Sequence, residues 1–291
     1  MVTRNENELM TRIGRGAPAG DLLRRYWHPV CPAADLTDEK RVKRVRMLGE
    51  DLVLFRDLSG RVGIVPEQCP HRRASLYYGF VEQDGLRCSY HGWKFDAEGN
   101  CTERPFERAE TKKICHGGYE VQKLAGLYWA YLGPKPAPQL PRWEIMVRRD
   151  GPLTIHVMPD VACNWLQVME NSVDSTHTYY LHGLMMIKHG LPHIGAYYAK
   201  PFEDCDFEVE RQKTWAGVRK VRVYGDERER GHPLIFPCIL LVPAEGHIYM
   251  HFRVPIDDFN TRILRLRFTP GGDVTGMDWD NPKIIIEPPY K

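Results

Sequence analysis

The chain has 291 residues, with 40 Lys and Arg against 38 Asp and Glu and a formal charge of +2. That length accommodates about two domains with separate cores, and so even a charge balance excludes a polyanion-binding surface as the organising feature. With no run of about 18 apolar residues, no apolar centre in the opening MVTRNENELM, and eight scattered cysteines, a soluble cytoplasmic protein without disulfides is expected.

Residues 1–39 are predicted to form an N-terminal helical segment packed on the C-terminal domain. Leu9, Met10, Ile13, Leu22 and Leu23 recur at helix-like spacing, and Gly14, Gly16 and Gly20 divide the segment in two. From residue 40 the pattern changes to short strands at 45–48, 52–55 and 62–65, with Asp57-Leu-Ser-Gly60 as a hairpin turn. Further strands are predicted near 85–88, 94–96 and 126–131, so residues 40–133 read as a small all-β domain. The basic run KRVKRVR at 40–46 is interrupted by Val42 and Val45 and reads as the charged face of one strand.

Prolines 134, 136, 138 and 141 mark a linker over 134–142, because they supply no ladder donors and favour extended backbone. Residues 143–291 form the second domain, with a strand predicted at 153–158 and a helix over 164–181. In 248–254, Ile248, Met250, Phe252 and Val254 alternate with Tyr249, His251 and Arg253, and 264–268 alternates likewise. Period-two alternation predicts antiparallel strands with one buried and one exposed face, curved against a helix.

Two motifs carry chemistry. Cys69-Pro-His71 is followed, after sixteen residues, by Cys88-Ser-Tyr-His91. Two thiolates and two imidazoles suit zinc, or a 2Fe–2S cluster with the thiolates on one iron and the imidazoles on the other. Structural zinc modules pair like ligands on a knuckle or place the histidines on a helix. Here each loop offers one of each, between strands and beside Pro70, Gly92 and Trp93, which favours the cluster. The remaining cysteines, 31, 101, 115, 163, 205 and 238, have no partner spacing and read as buried small hydrophobes.

The second motif is NWLQVMENSVDSTHTYYLH at 164–182, which sets Asn164, Glu170, Asp174, His177 and His182 in an otherwise apolar stretch. His177 and His182 are five apart; on an ideal helix that is about 500°, pointing them roughly 140° away from each other. Both reach one metal only where the helix ends or distorts between them. Glu170, Asp174 and His177 have the spacing of residues on one helix face.

CPHR at 69–72 with CSYHGWKFD at 88–96 looks like the Rieske motif. Together with NW…EN…D…H…H at 164–182, the sequence resembles the catalytic (alpha) subunit of Rieske non-haem iron aromatic ring-hydroxylating oxygenases, in the phthalate dioxygenase-like branch. The resemblance implies an α+β fold: a Rieske domain over 40–133 and a catalytic, helix-grip-like domain over 143–291, expected to be incomplete at its C-terminal end. It implies a 2Fe–2S cluster on Cys69, His71, Cys88 and His91, and a mononuclear Fe(II) on His177 and His182. The family's third ligand is a downstream carboxylate on a helix. Asp257, Asp258, Asp273, Asp278, Asp280 and Glu287 lie in turn-like contexts, so that ligand stays unassigned.

By the same resemblance Asp174 matches a bridging aspartate between His177 and His91 of a neighbouring copy, and Asn164 matches a position near the iron. The implied partners are O₂, a small aromatic substrate, further copies in a homotrimer or a multiple of one, and an NAD(P)H-dependent reductase with flavin and a ferredoxin-type cluster. No nucleic acid and no membrane is implied. A carboxylated substrate requires a buried cation, for which Lys188, Lys200, Arg219 and Arg222 are candidates. Hydroxylation and O-demethylation both fit. The competing reading is a Rieske electron-transfer protein without mononuclear iron chemistry of its own.

Overall fold

The computed structural model describes residues 2–107, 114–199, 205–211, 217–244 and 246–288. α1 (Arg4–Thr11) begins at Thr3, whose hydroxyl accepts the Glu6 N–H while the Glu6 carboxylate accepts the Thr3 N–H. α2 (Pro18–Leu23) has proline in its first turn, where the missing donor costs nothing. The helical segment expected to reach residue 39 stops there. Trp27–Pro32 is instead strand β1, with all six residues buried. Pro29 and Pro32 exclude helix, and an unbroken apolar run suits a strand covered on both faces.

The β-rich part follows. β2 (Val42–Met47), β3 (Glu50–Arg56) and β4 (Val62–Pro66) form one antiparallel sheet. In β2, Val45 and Met47 are buried while Arg44 and Arg46 are exposed, so the basic run is one face of a strand. β5 (Phe80–Glu82), β6 (Gly85–Arg87), β7 (Lys94–Phe95) and β8 (Cys101–Glu103) form a second sheet. β9 (Glu120–Leu124) and β10 (Leu127–Tyr131) pair with each other, and β10 pairs with β1.

After α3 (Glu144–Val147) come β11 (Leu153–Val157) and α4 (Trp165–Val173). The helix predicted over 164–181 breaks at Asp174, whose ψ of 123° is extended, and restarts at Thr176. It then runs through a π-helical segment, Thr178–Leu184, into α5 (Met185–Lys188) and α6 (Pro192–Tyr198). The remaining strands are β12 (Cys205–Arg211), β13 (Gly217–Tyr224), β14 (Glu227–Ile235), β15 (Ile239–Ala244), β16 (His247–Pro255), β17 (Thr261–Phe268) and β18 (Lys283–Ile286). They form one sheet in the order β12-β13-β14-β15-β16-β17-β11-β18, antiparallel except where β11 meets β18.

Two cores hold this together. The larger joins the N-terminal segment to the big sheet: Trp129 of β10 meets Phe252 of β16 edge-on at 5.0 Å, among Met250, Val254, Leu264 and Leu266. The smaller contains Val53, Phe55, Val65, Leu76, Leu86 and Phe95 and includes Cys69 and Cys88. The other face of β16 departs from the expected exposure. Arg253 is only 7 % exposed, because Nη1 donates to the Val168 carbonyl and the Ser172 hydroxyl of α4. Alternation located the apolar face correctly, but the polar face is covered by α4. Of the six other cysteines only Cys31 and Cys238 are buried, and Cys115 is exposed.

Candidate metal centres and the cavity beside them

Two loops with one backbone pattern present the first motif. After β4, the Cys69 N–H donates to the Ala74 carbonyl and the Arg73 N–H returns to the Cys69 carbonyl, with Arg73 at φ 60°. Between β6 and β7, the Cys88 N–H donates to the Trp93 carbonyl and the Gly92 N–H returns to Cys88, with Gly92 at φ 75°. Each loop therefore turns through one left-handed residue four positions after its cysteine. Glycine adopts that conformation freely, and at 92 a Cβ would also stand 3.1 Å from Pro105 Cγ.

The loops bring like donors together. Both thiols are 2 % exposed. Burial pushes the Cys69 thiol up to about 11, against backbone N–H groups of His71 and Arg72 aimed at the sulfur, and neighbouring Cys88 raises it further. The His71 and His91 rings lie 4.6 Å apart, and Trp93 stacks flat on His71 at 4.7 Å. His71 Nδ1 is buried with no hydrogen-bond partner. Two paired thiols, two paired imidazoles, an orphaned ring nitrogen and N–H groups on sulfur fit a two-iron cluster with mixed ligands.

The second motif lines a cavity of about 410 Å³ between the helices and the big sheet. Its two histidines meet through the π segment. The Met185 N–H bonds the Tyr180 carbonyl, five residues back, so side chains five apart stack above one another instead of diverging. The His177 and His182 rings stand 5.2 Å apart, and Tyr198 of α6 packs 5.6 Å from His182.

Asp174 lies at the helix break and does not share a helix face with His177 as its spacing suggested. Its Oδ1 accepts the Thr176 N–H at 2.8 Å and hydroxyl at 2.6 Å, capping the restarted helix, while Oδ2 accepts from His177 Nδ1 at 2.9 Å. Partial burial alone would raise this carboxyl, but the bonds from Thr176 and then His177 outweigh it and hold it down to about 2. A carboxylate only accepts, so Nδ1 carries a proton in this contact and Nε2 is the ring nitrogen left for a metal. Burial, then neighbouring His177 and Lys220, hold His182 below its usual range and therefore neutral, the form that binds a metal. The two imidazoles are chemically suited to a divalent iron and supply two of the donors that one needs.

Other expected residues are placed elsewhere. Asn164 caps the far end of α4, about 15 Å along the helix from Asp174: Oδ1 accepts the Leu166 N–H, and Nδ2 donates to the carbonyls of Thr11 and Asp258. Asn171 lines the histidine cavity instead. None of the six downstream carboxylates lines it. Asp258 holds Arg12 and the Ile13 N–H, Asp257 holds Asn260, and Glu287 holds His156 and Arg265. Among the described residues no three His, Cys, Asp or Glu side chains gather about one point as a single ion requires. The carboxylate lining the cavity there is Glu229, paired with Arg222 at 2.6 Å. Lys188 is exposed and Lys200 lies outside the described residues.

Four further cavity residues, Lys220, His232, His251 and Arg253, were not legible as site residues. Burial, followed by the charge of Arg253 and Arg265, drives His251 down to about 3. Burial, with help from Arg222, also lowers the Lys220 ammonium. The cavity wall carries four basic side chains, Lys220, Arg222, Arg230 and Arg253, and one carboxylate, Glu229.

The Rieske 2Fe-2S domain family matches residues 26–123. The 5,5'-dehydrodivanillate O-demethylase oxygenase subunit of Sphingobium sp. is 48 % identical over 190 residues, 62 % of this chain and 44 % of that protein. The phthalate 4,5-dioxygenase oxygenase subunit of Pseudomonas putida is 34 % identical, over 97 % of this chain and 65 % of its own. The phenoxybenzoate dioxygenase subunit alpha of Ectopseudomonas oleovorans is 37 % identical, over 96 % of this chain and 72 % of its own. This chain belongs to the Rieske non-haem iron oxygenases, in the branch of phthalate dioxygenase-like oxygenase subunits.

The fold agrees. The terminal oxygenase of carbazole 1,9a-dioxygenase from Nocardioides aromaticivorans superposes with a TM-score of 0.66 at 20 % identity, over 84 % of this chain and 75 % of its own. In this chain an all-β unit precedes a sheet packed on helices. The chain spans only 44 % and 65 % of the demethylase and phthalate dioxygenase subunits. No helix among the described residues is long and apolar enough to cross a membrane.

Proposed function

We propose that the chain is the terminal oxygenase component of a multicomponent Rieske system, hydroxylating or O-demethylating an aromatic, carboxylated substrate. The observation carrying this is the π segment, which sets His177 and His182 together on one cavity with the Asp174 carboxylate behind His177. When bound, a 2Fe–2S cluster on Cys69, His71, Cys88 and His91 supplies single electrons, and an iron on His177 and His182 supplies oxygen activation.

The residues do the rest. Asp174 fixes the His177 tautomer so that Nε2 faces the cavity, and the walls hold the ring of the substrate. Asp174 is about two-fifths exposed, so it remains open to a second contact, with His91 of a neighbouring copy in a head-to-tail trimer. Electrons reach the protein from NAD(P)H through a separate reductase. All eight cysteines are free thiols, which supports a reducing, cytoplasmic setting.

A Rieske electron-transfer protein is the second reading, favoured by the lack of a third carboxylate at the histidines among the described residues. Iron analysis with electron paramagnetic resonance separates the two. About three irons per chain, with oxygen consumed when reductase and aromatic acid are added, supports the oxygenase. Two irons, all in the cluster, overturn it.

A further inference from the structure

The strand pair β13–β14 contains an irregularity that ends in the cavity. Arg219 pairs with Pro233 and Val221 with Arg230, so Gly231 and His232 together face the single residue Lys220. Bulges of this kind re-aim side chains beside active sites. Gly231 has no left-handed φ to require glycine. What glycine supplies here is room, since a Cβ would stand 2.7 Å from Lys220 Cγ and 3.0 Å from its Cε. The lysine stem therefore runs across Gly231, and its ammonium donates to the Asp174 carbonyl at 3.1 Å.

That bond uses one of three ammonium donors, and among the described residues Lys220 has no carboxylate partner. Two positions along β13, Arg222 is 8 % exposed. Its Nη2 holds Glu229, while Nη1 is buried with no hydrogen-bond partner among the described residues. Lys220, Arg222, Arg230 and Arg253 line the cavity against one carboxylate, Glu229. Arg230 is held by Glu210, and Nη1 of Arg253 by α4, although its Nε is also buried without a partner among the described residues. Lys220 and Nη1 of Arg222, two positions apart on β13, have donors to spare. Buried donors and charge left uncompensated cost stability unless a ligand completes them.

We propose that Lys220 and Nη1 of Arg222 form an oxyanion subsite that reads a ring carboxylate of the substrate, with Gly231 as the notch admitting the lysine. The inference rests on the cavity being the substrate site. A neutral amide of the same shape offers one acceptor oxygen and an NH2 that cannot accept, so it leaves a donor unpaired and the charge unmet, and the subsite discriminates by charge.

The test uses benzoate and benzamide, matched in shape and different in charge, titrated calorimetrically into the full-length protein. Wild type should bind benzoate the more tightly. Lys220→Met should erase the preference, weakening benzoate about tenfold or more with little change for benzamide. Gly231→Ala, which keeps the charge but displaces the stem, should do the same, and Lys220→Arg should retain the preference. Binding of neither probe, equal affinity of the wild type for both, or a preference unchanged in both Lys220→Met and Gly231→Ala overturns the subsite. A purely structural clasp on the Asp174 carbonyl would weaken both probes alike, which also overturns it. Iron content and oxygen uptake, which test the oxygenase reading, are measured independently.

Discussion

The Asp174 carboxylate accepts from His177 Nδ1 at 2.9 Å from a position outside either helix, in the extended link between α4 and the restarted helical turn. The break is what makes the contact selective. One oxygen of Asp174 is spent on Thr176, fixing the carboxylate plane, and the other is left for the imidazole. Lys220 holds the carbonyl of the same residue. Backbone, carboxylate and ring are thus set by three separate contacts.

Asp174→Asn keeps the shape but removes the charge that fixes the His177 tautomer. Turnover should fall about 10- to 100-fold, with iron content within error of wild type. Oxygen uptake alongside metal analysis checks both halves. The pH sign follows from the depressed carboxyl: its stabilisation is present above the unfolded value of about 3.9 and is lost as pH falls through the folded value of about 2. Melting temperatures of variant and wild type should therefore differ by a constant amount from pH 5 to 8 and converge in the acid.

Asn164→Ala should behave differently. It deletes the cap of α4 and orphans the carbonyls of Thr11 and Asp258, a loss of about 1 kcal/mol, up to about 2. Urea unfolding should register that loss while iron content stays unchanged. Iron loss without destabilisation would return Asn164 to the metal site.

Local signals carried much of the fold. Alternation in β16 and β17 and the turn at Asp57–Gly60 depend only on near neighbours, and the Cys/His loops are short enough for spacing to narrow the choice to zinc or a two-iron cluster. Three features did not follow. The strand at Trp27–Pro32 is decided by its partner β10, nearly a hundred residues away. The π segment is a tertiary solution: an ideal helix separates His177 from His182, and the close packing of Gly183 on Ala199, and of Gly195 in α6 on Gly183 and Ile187, has no local signature. The polar face of β16 looks exposed from its alternation alone, because α4, which covers it, lies distant in sequence. Gly231 was the missed clue, since a lone glycine inside a strand marks a bulge or a close approach.

Gly183 is where the π segment meets α6. A Cβ there would stand 3.0 Å from the backbone nitrogen and Cα of Ala199, and backbone cannot step aside as a side-chain tip can. Gly183→Ala should destabilise by about 1–3 kcal/mol, since α6 must move away from the helix that carries His182. Differential scanning calorimetry gives the loss, and a weakened ferrous site in the surviving folded protein would show that the two helices support His182 jointly.

His91 offers the most direct test of the upstream loops. Its ring lies against His71 at 4.6 Å and tilts onto Tyr90 at 3.8 Å, near the exposed rim of the small domain. A neutral imidazole leaves the two-iron unit less negative than a thiolate would, which raises its potential. His91→Cys should therefore retain a two-iron cluster while lowering its midpoint by on the order of 100 mV or more. Spectroelectrochemical titration reads the shift directly, and a midpoint that does not move would mean the second loop contributes Cys88 alone.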